Sequence, residues 1–153
     1  MTAAAWLSGQ EQQAWRTDLR MSSLLPAALN RQLQQDYGLT LPEYEVLVQL
    51  SESPQRRLRP FQICEELNWE QSRLSHQLTR MERRGLVSRL ECEADGRGAF
   101  VELTADGADA VSAAAARHVA TVRSLVFDRL SGPQLAAFED ACAAILSGLT
   151  GQP

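Results

Sequence analysis

The apolar positions of this chain change period twice. Trp15, Leu19, Leu25, Leu29 and Leu33 recur at roughly helical spacing. Ahead of them Ser8-Gly9-Gln10-Glu11 forms a capping box, in which a hydroxyl and a carboxylate each take up a free backbone N–H of the first turn. The pattern predicts a helix over 8–36, kinked at Pro26 where a backbone donor is lost, and stopped at Gly38. Thr40-Leu41-Pro42-Glu43 repeats the box and opens a helix presenting Tyr44, Leu47 and Val48 that ends near Ser51.

The middle is built differently. Ser53-Pro54 breaks the chain and the basic run Arg56 to Arg59 follows. A short helix from Pro60 carries Ile63, Cys64 and Leu67, and Asn68-Trp69 makes a tight connection. A second helix from Gln71 to Arg84 buries Leu74, Leu78 and Met81, and Gly85 closes it. Then the period drops to two: Leu90 and Cys92, and after them Ala99, Val101 and Leu103, alternate with polar residues as two half-buried strands. Asp95-Gly96 supplies the turn between them. Helical spacing returns from Ala105 to about Leu130, through Val111, Val119, Val122, Leu125 and Val126. A last helix follows Ser131-Gly132-Pro133-Gln134, with Leu135, Phe138, Ile145 and Leu146. The fold class expected is mainly α with a small β-hairpin wing (α+β).

Charge sharpens this picture. The chain of 153 residues carries a formal net charge of −4, which argues against a generic nucleic-acid coat. Its distribution is uneven: residues 54–90 hold eight Arg and four acids, whereas 1–53 and 101–153 each hold three Arg and six acids. A basic middle between acidic ends is a localised footprint. Short helix, tight turn, helix and hairpin make a winged helix-turn-helix, whose second helix fits the major groove of double-stranded DNA. Its polar face carries Gln71, Ser72, Arg73, Ser75, His76, Thr79, Arg80 and Arg83. Gln71, Ser72, Arg73 and His76, near the helix start, are placed for base edges, and Thr79, Arg80 and Arg83 for phosphates.

Other chemistry finds little support. Cys64, Cys92 and Cys142 are widely spaced without a CxxC, and His76 and His118 fall on different helices, so neither a disulfide framework nor a metal site is expected. Small buried hydrophobe is the expected role of each Cys. The sequence lacks GxSxG, a phosphate loop and HExxH, so an enzyme is not expected, and no cofactor is implied. No apolar run reaches the length of a membrane helix, and the opening MTAAAWLSGQEQ lacks the features of a secretory signal. A cytoplasmic protein with no membrane partner is expected.

The stretch Leu67 to Arg89, LNWEQSRLSHQLTRMERRGLVSR, resembles the recognition region of MarR-type transcriptional regulators. Asp95 to Gly107, DGRGAFVELTADG, is similar to that family's wing: Asp-x-Arg at the tip, a strand ending Leu103-Thr104, then Gly107. The resemblance implies that Arg97 enters the minor groove, where narrow grooves concentrate negative potential, and that Asp95 orients it. Two residues depart from the pattern. Glu70 stands where a Ser or Asp commonly caps the recognition helix, and His76 where Arg is common; the second implies a different site preference and some pH dependence.

By the same resemblance residues 1–153 form one unit, with helical dimerisation arms at 8–36 and 105–149 around a DNA-binding lobe at 40–104. Leu125, Phe127, Leu130, Leu135, Phe138 and Ile145 give the C-terminal arm more apolar faces than one helix pair buries, so a homodimer is expected. It would read a palindromic operator, as a repressor released by a small aromatic or anionic ligand. Candidates for that effector pocket are Trp15, Leu19 and Tyr44, with Arg16 or Arg20 as anion partner. Peroxide-sensing members of the family carry a Cys in the first helix, which this chain lacks. A helical protein-interaction module without DNA binding, and a redox-sensing regulator using a Cys, are the alternatives.

Overall fold

A computed structural model describes residues 6–91 and 98–151. The elements run α1 (Gly9–Tyr37), α2 (Leu41–Glu52), β1 (Arg57–Leu58), α3 (Pro60–Leu67), α4 (Gln71–Arg83), β2 (Val87–Glu91), β3 (Ala99–Leu103), α5 (Ala105–Leu125) and α6 (Gly132–Thr150), with a 3-10 turn at Phe127–Arg129 before α6. The chain divides into two compact units, 1–116 and 117–153, and α5 crosses the boundary. Thus α1 and the first half of α5 fall in the same unit as the winged helix. Among the described residues no helix is long and apolar enough to cross a membrane.

Local chemistry sets the helix limits. Ser8 and Thr40 both complete the expected capping boxes with Glu11 and Glu43. Helix α1 is continuous through Pro26 and stops at Gly38, whose φ of 64° is left-handed. Asn68 takes the same region at φ 51° and ends α3, turning the chain into α4. At the far end of α4, Gly85 has φ 72°; its N–H reaches the Glu82 carbonyl at 3.0 Å and the Leu86 N–H reaches Met81 at 3.0 Å. That double closure is what a left-handed glycine after a helix permits.

The first unit has a single apolar core. Leu33, Leu47, Leu50, Ile63, Leu74, Leu78, Met81 and Val101 are all at most 2% exposed. The sequence placed Leu74, Leu78 and Met81 there. Glu43 joins this core as a charged residue, 3% exposed. Its Oε2 accepts the Thr40 N–H at 2.9 Å, and both carboxylate oxygens lie 2.6 Å from Arg84 Nη1. Arg84 Nη2 then donates to the Gly38 carbonyl at 2.8 Å. One ion pair therefore joins the end of α1, the start of α2 and the end of α4.

The sheet is antiparallel in the order β1-β3-β2. Strand β1, two residues inside the basic run, is an element the pattern did not predict: it is too short to show alternation. The face of Leu90 also needs correction. Val87 pairs with Leu103 and both are buried, whereas Leu90 stands opposite Phe100 and is 40% exposed. Strand parity forces this, since Val87 and Leu90 are three apart. The misleading residue is Arg89: it shares the parity of Val87 and is polar because it reaches back to α4, at 3.3 Å from the Ser75 carbonyl and from Thr79 Oγ1. Helix α5 likewise ends at Leu125 instead of running to Leu130, with Arg129 Nε bonded to the Ser124 carbonyl at 3.1 Å around the 3-10 turn.

The junction of β3 and α5 explains the Leu-Thr-x-x-Gly run. Leu103 is buried. The Thr104 hydroxyl accepts the Gly107 N–H at 3.0 Å and lies 2.6 Å from the Gly85 carbonyl. A Cβ on Gly107 would come within 2.1 Å of the Leu86 carbonyl oxygen. Gly107→Ala should therefore push α5 away from the start of β2 and cost about 1–3 kcal/mol, the usual range for overpacking. Gly132→Ala, where the added methyl meets nothing within 4 Å, is the control. Urea unfolding of the two variants should separate them clearly.

Candidate nucleic-acid interface

Helix α4 presents its polar side outward because Leu74, Leu78 and Met81 commit the other side to the core. Gln71, Ser72, Arg73, Ser75, His76, Arg80 and Arg83 are exposed and Thr79 is half-buried, so the eight residues expected on this face do share it. Gln77, between them in sequence, is 4% exposed and accepts from Arg80. At the helix start Glu70 makes no side-chain cap hydrogen bond, as the departure from Ser or Asp at this position implied. The first-turn N–H groups of α4 thus lack that side-chain cap.

Several of these side chains are already engaged. The Arg73 guanidinium lies over the Trp69 ring, 4.1 Å from its centroid. Glu45 on α2 feels Arg73 as well: burial pushes its carboxyl above the usual carboxylate range, and the Arg73 charge opposes the rise. Thr79 Oγ1 donates to the Ser75 carbonyl at 3.0 Å and receives Arg89. Arg89 Nε also lies 3.9 Å from Glu82, so β2 is tied to α4 along one edge. Between α4 and the sheet lies a cleft of about 400 Å³, lined by Pro60, Gln71, Ser72, Leu74, Ser75, Leu78, Arg89 and Ala99. A second, of about 550 Å³, is lined by residues that include Asn30, Gln77, Arg80, Arg83 and Arg84.

These features coincide with known proteins. A family model described as MarR family matches residues 37–98. The chain is 42% identical to AbsC, a MarR family transcriptional regulator from Streptomyces coelicolor, across 97% of this chain and 100% of that one, with a TM-score of 0.89. It is 38% identical to Sco3205, a MarR family transcriptional regulator from the same organism solved in complex with DNA, across 100% of this chain and 94% of that one, with a TM-score of 0.90. No curated protein sequence matches the chain.

The chain belongs to the MarR family of transcriptional regulators.

In this MarR-family chain the remaining expected residues are placed unevenly. Asp95 and Arg97, together with Cys92, lie outside the described residues. Trp15, Arg16, Leu19 and Arg20 lie on an exposed stretch of α1, with Trp15 at 55% and Leu19 at 50% exposure. Tyr44, 8% exposed, belongs to the core of the first unit, and burial pushes its hydroxyl above the ordinary tyrosine value, with Glu52 reinforcing the rise. The two clefts described above are lined by other residues. Burial and the charge of Glu70 push the Cys64 thiol up, which suppresses the thiolate that oxidation requires. Among the described residues no three metal-binding side chains cluster.

Sequence reasoning passed over Trp69, Arg84 and Arg89. Trp69 and Arg73 are four residues apart across the start of α4, a spacing that brings side chains together; that signal was available. The partners of Arg84 and Arg89 are remote in sequence and gave none. A stack of guanidinium on indole at an exposed site contributes roughly 0.5–1 kcal/mol. A double-mutant cycle of Trp69→Ala and Arg73→Ala, read by urea unfolding, should return a coupling in that range. Additive losses would show that the stack contributes nothing.

Proposed function

We propose that this protein is a sequence-specific double-stranded DNA-binding regulator that acts as a homodimer on a palindromic operator. The observation that carries the reading is the face of α4: an outward polar and basic surface on a helix whose other side is locked into the core. The DNA complex of Sco3205, a relative of near-identical fold, supports it. In this reading α4 occupies a major groove, with Gln71, Ser72, Arg73 and His76 toward base edges, and Arg80 and Arg83 toward phosphates. Ser75 lines the cleft together with Arg89, which also reaches the Thr79 hydroxyl. Stacking on Trp69 occupies only the face of the Arg73 guanidinium. The in-plane donors stay available for the O6 and N7 of guanine. The hairpin reaches the neighbouring minor groove through Arg97, oriented by Asp95.

The dimer rests on exposed apolar surface. Trp15, Leu19 and Leu24 of α1 are at least half exposed, and Phe138, Ile145 and Leu146 of α6 are 40%, 64% and 57% exposed. No residue of α6 is buried. Helices of this kind bury their apolar side against another surface, and pairing two copies doubles the base pairs read. Repression, relieved by a small aromatic or anionic ligand near Trp15, Arg16, Leu19 and Arg20, completes the proposal; Tyr44, being core, is not part of that pocket.

Selecting bound sequences from random duplex DNA tests the function directly. A palindromic consensus is expected, and recovery of no enriched sequence would favour a protein-interaction module. On the selected duplex, Arg73→Ala should relax preference at one position per half-site, at about 1–3 kcal/mol for a lost bidentate pair. Arg83→Ala should instead weaken all sequences alike and flatten the salt dependence by about one unit per contact. Sedimentation equilibrium should give twice the 16.9 kDa of one chain. Phe138→Asp should shift that equilibrium toward monomer, because an unpaired charge resists burial.

A further inference from the structure

Helix α1 is joined to the winged helix by the short link Gly38-Leu39-Thr40, in which Gly38 is left-handed. Apolar contact across this joint is narrow. Leu33 alone among the residues of α1 is buried, with Tyr37 packed beside the same core. Next to the link the surface opens into the cleft of about 550 Å³, and Asn30, Thr40, Glu43 and Arg84 all line it. Two polar straps span the link there. Arg84, just beyond α4, donates from Nη2 to the Gly38 carbonyl at 2.8 Å while its Nη1 lies 2.6 Å from both oxygens of the buried Glu43 carboxylate on α2. From the other side Asn30 of α1 accepts the Leu41 N–H on Oδ1 at 2.8 Å, at the first residue of α2. The Asn30 amide is steadied in turn by Gln34, whose Oε1 accepts its Nδ2–H at 3.1 Å. The planar fork of one guanidinium thus holds an acceptor at the end of α1 and another inside the winged helix.

These straps bear on how two copies would read DNA. In the proposed dimer the exposed stretch of α1 carrying Trp15, Leu19 and Leu24 lies against the partner copy, so α1 is the frame from which each α4 is held. The separation of the two α4 helices then depends on the angle between α1 and the winged helix. Helix α4 has 13 residues and is about 20 Å long, so a swing of roughly 10° about its Arg84 end moves its start by about 3.4 Å, the rise of one base pair. Small changes at the joint are therefore large on the scale of an operator. We propose that Arg84, bridging Glu43 and Gly38, is a positioning residue that sets the half-site spacing the dimer accepts, with Asn30 as its second strap. This role requires no contact between either residue and DNA. The connection from the winged helix to α5 has its own bonds at Thr104 and Gly107, which changes at Arg84 or Asn30 leave in place.

The inference rests on the dimeric DNA-binding reading, and one series of titrations separates the two. Fluorescence anisotropy compares the wild-type protein, Arg84→Lys and Asn30→Ala on the selected palindrome and on duplexes whose half-sites are one base pair closer or farther apart. For the wild type a changed spacer should cost at least about tenfold in affinity, comparable to a mismatched base pair. In Arg84→Lys, whose compact ammonium lacks the fork that spans both acceptors, that penalty should shrink to about threefold or less. Asn30→Ala, which leaves the ion pair in place, should shrink it as well and keeps the test open if Arg84→Lys does not fold. The base preference within each half-site should stay as in the wild type for both variants. The salt dependence of Arg84→Lys should also be unchanged, since its charge is kept. Wild-type spacer penalties in the folded, dimeric variants would overturn the role of the straps and leave the DNA-binding reading standing. Affinity lost equally on all spacers, with the penalty intact, would overturn it too, since that is what a merely structural contact gives. A wild-type protein that selects no palindrome would overturn both.

Discussion

The carboxylate of Glu43 is withdrawn from water at the meeting of three helices, and the rest of the first unit is arranged around satisfying it. It caps the first turn of α2 through Thr40 and accepts both contacts from Arg84, while Arg84 also takes the last carbonyl beyond α1 at Gly38. A buried charge without such partners would cost several kcal/mol. The C-terminal end of α4 is therefore tied to α1 and α2 by this ion pair. Leu74, Leu78 and Met81 hold the same helix along its length. Between them, apolar packing decides which side of α4 faces out, and the ion pair helps decide where it ends.

The hairpin is fixed to the same frame by the core positions of Val87, Val101 and Leu103 and by polar contacts beside them. Thr104 bonds to the carbonyls of Gly85 and Leu86, and Arg89 bonds to the carbonyl of Ser75 and the hydroxyl of Thr79. Gly107 lets α5 start directly against Leu86. The three devices link α4, β2 and α5 at one junction, so recognition helix and hairpin base keep a set spacing. The proposed reading of adjacent major and minor grooves by α4 and the hairpin calls for such a set spacing.

Exposed surface and core use the same kinds of residue differently. Side chains such as Leu33 and Leu47 disappear into the first unit, while Trp15, Leu19, Phe138 and Ile145 stay in contact with solvent. The repeated arginines divide in the same way. Arg84 and Arg89 are used within the fold, Arg73 is steadied by an indole, and Arg83 projects from an exposed position. Charge alone does not distinguish these roles, which follow from what each guanidinium meets.

Much of this was readable from local sequence, because the signals act over three or four residues. Capping boxes at Ser8 and Thr40, the left-handed stop at Gly38, the buried stripe of α4 and a last helix after Ser131 all form as expected. So does the outward face of α4, since helical spacing determines which residues share a side, and the Asp-x-Arg, Leu-Thr and Gly pattern pointed to the family. Strand β1, the outward turn of Leu90, the early end of α5 and the burial of Tyr44 were decided by tertiary structure. Each depends on a partner far along the chain: β3 for Arg57 and Leu58, Phe100 for Leu90 and the core for Tyr44. The same holds for Glu43 with Arg84 and for Arg57 and Arg59 with Phe100. A single sequence records the residue types that such pairs require, but only folding brings the partners within reach, because side-chain interactions decay over a few ångströms while the intervening chain spans tens of residues.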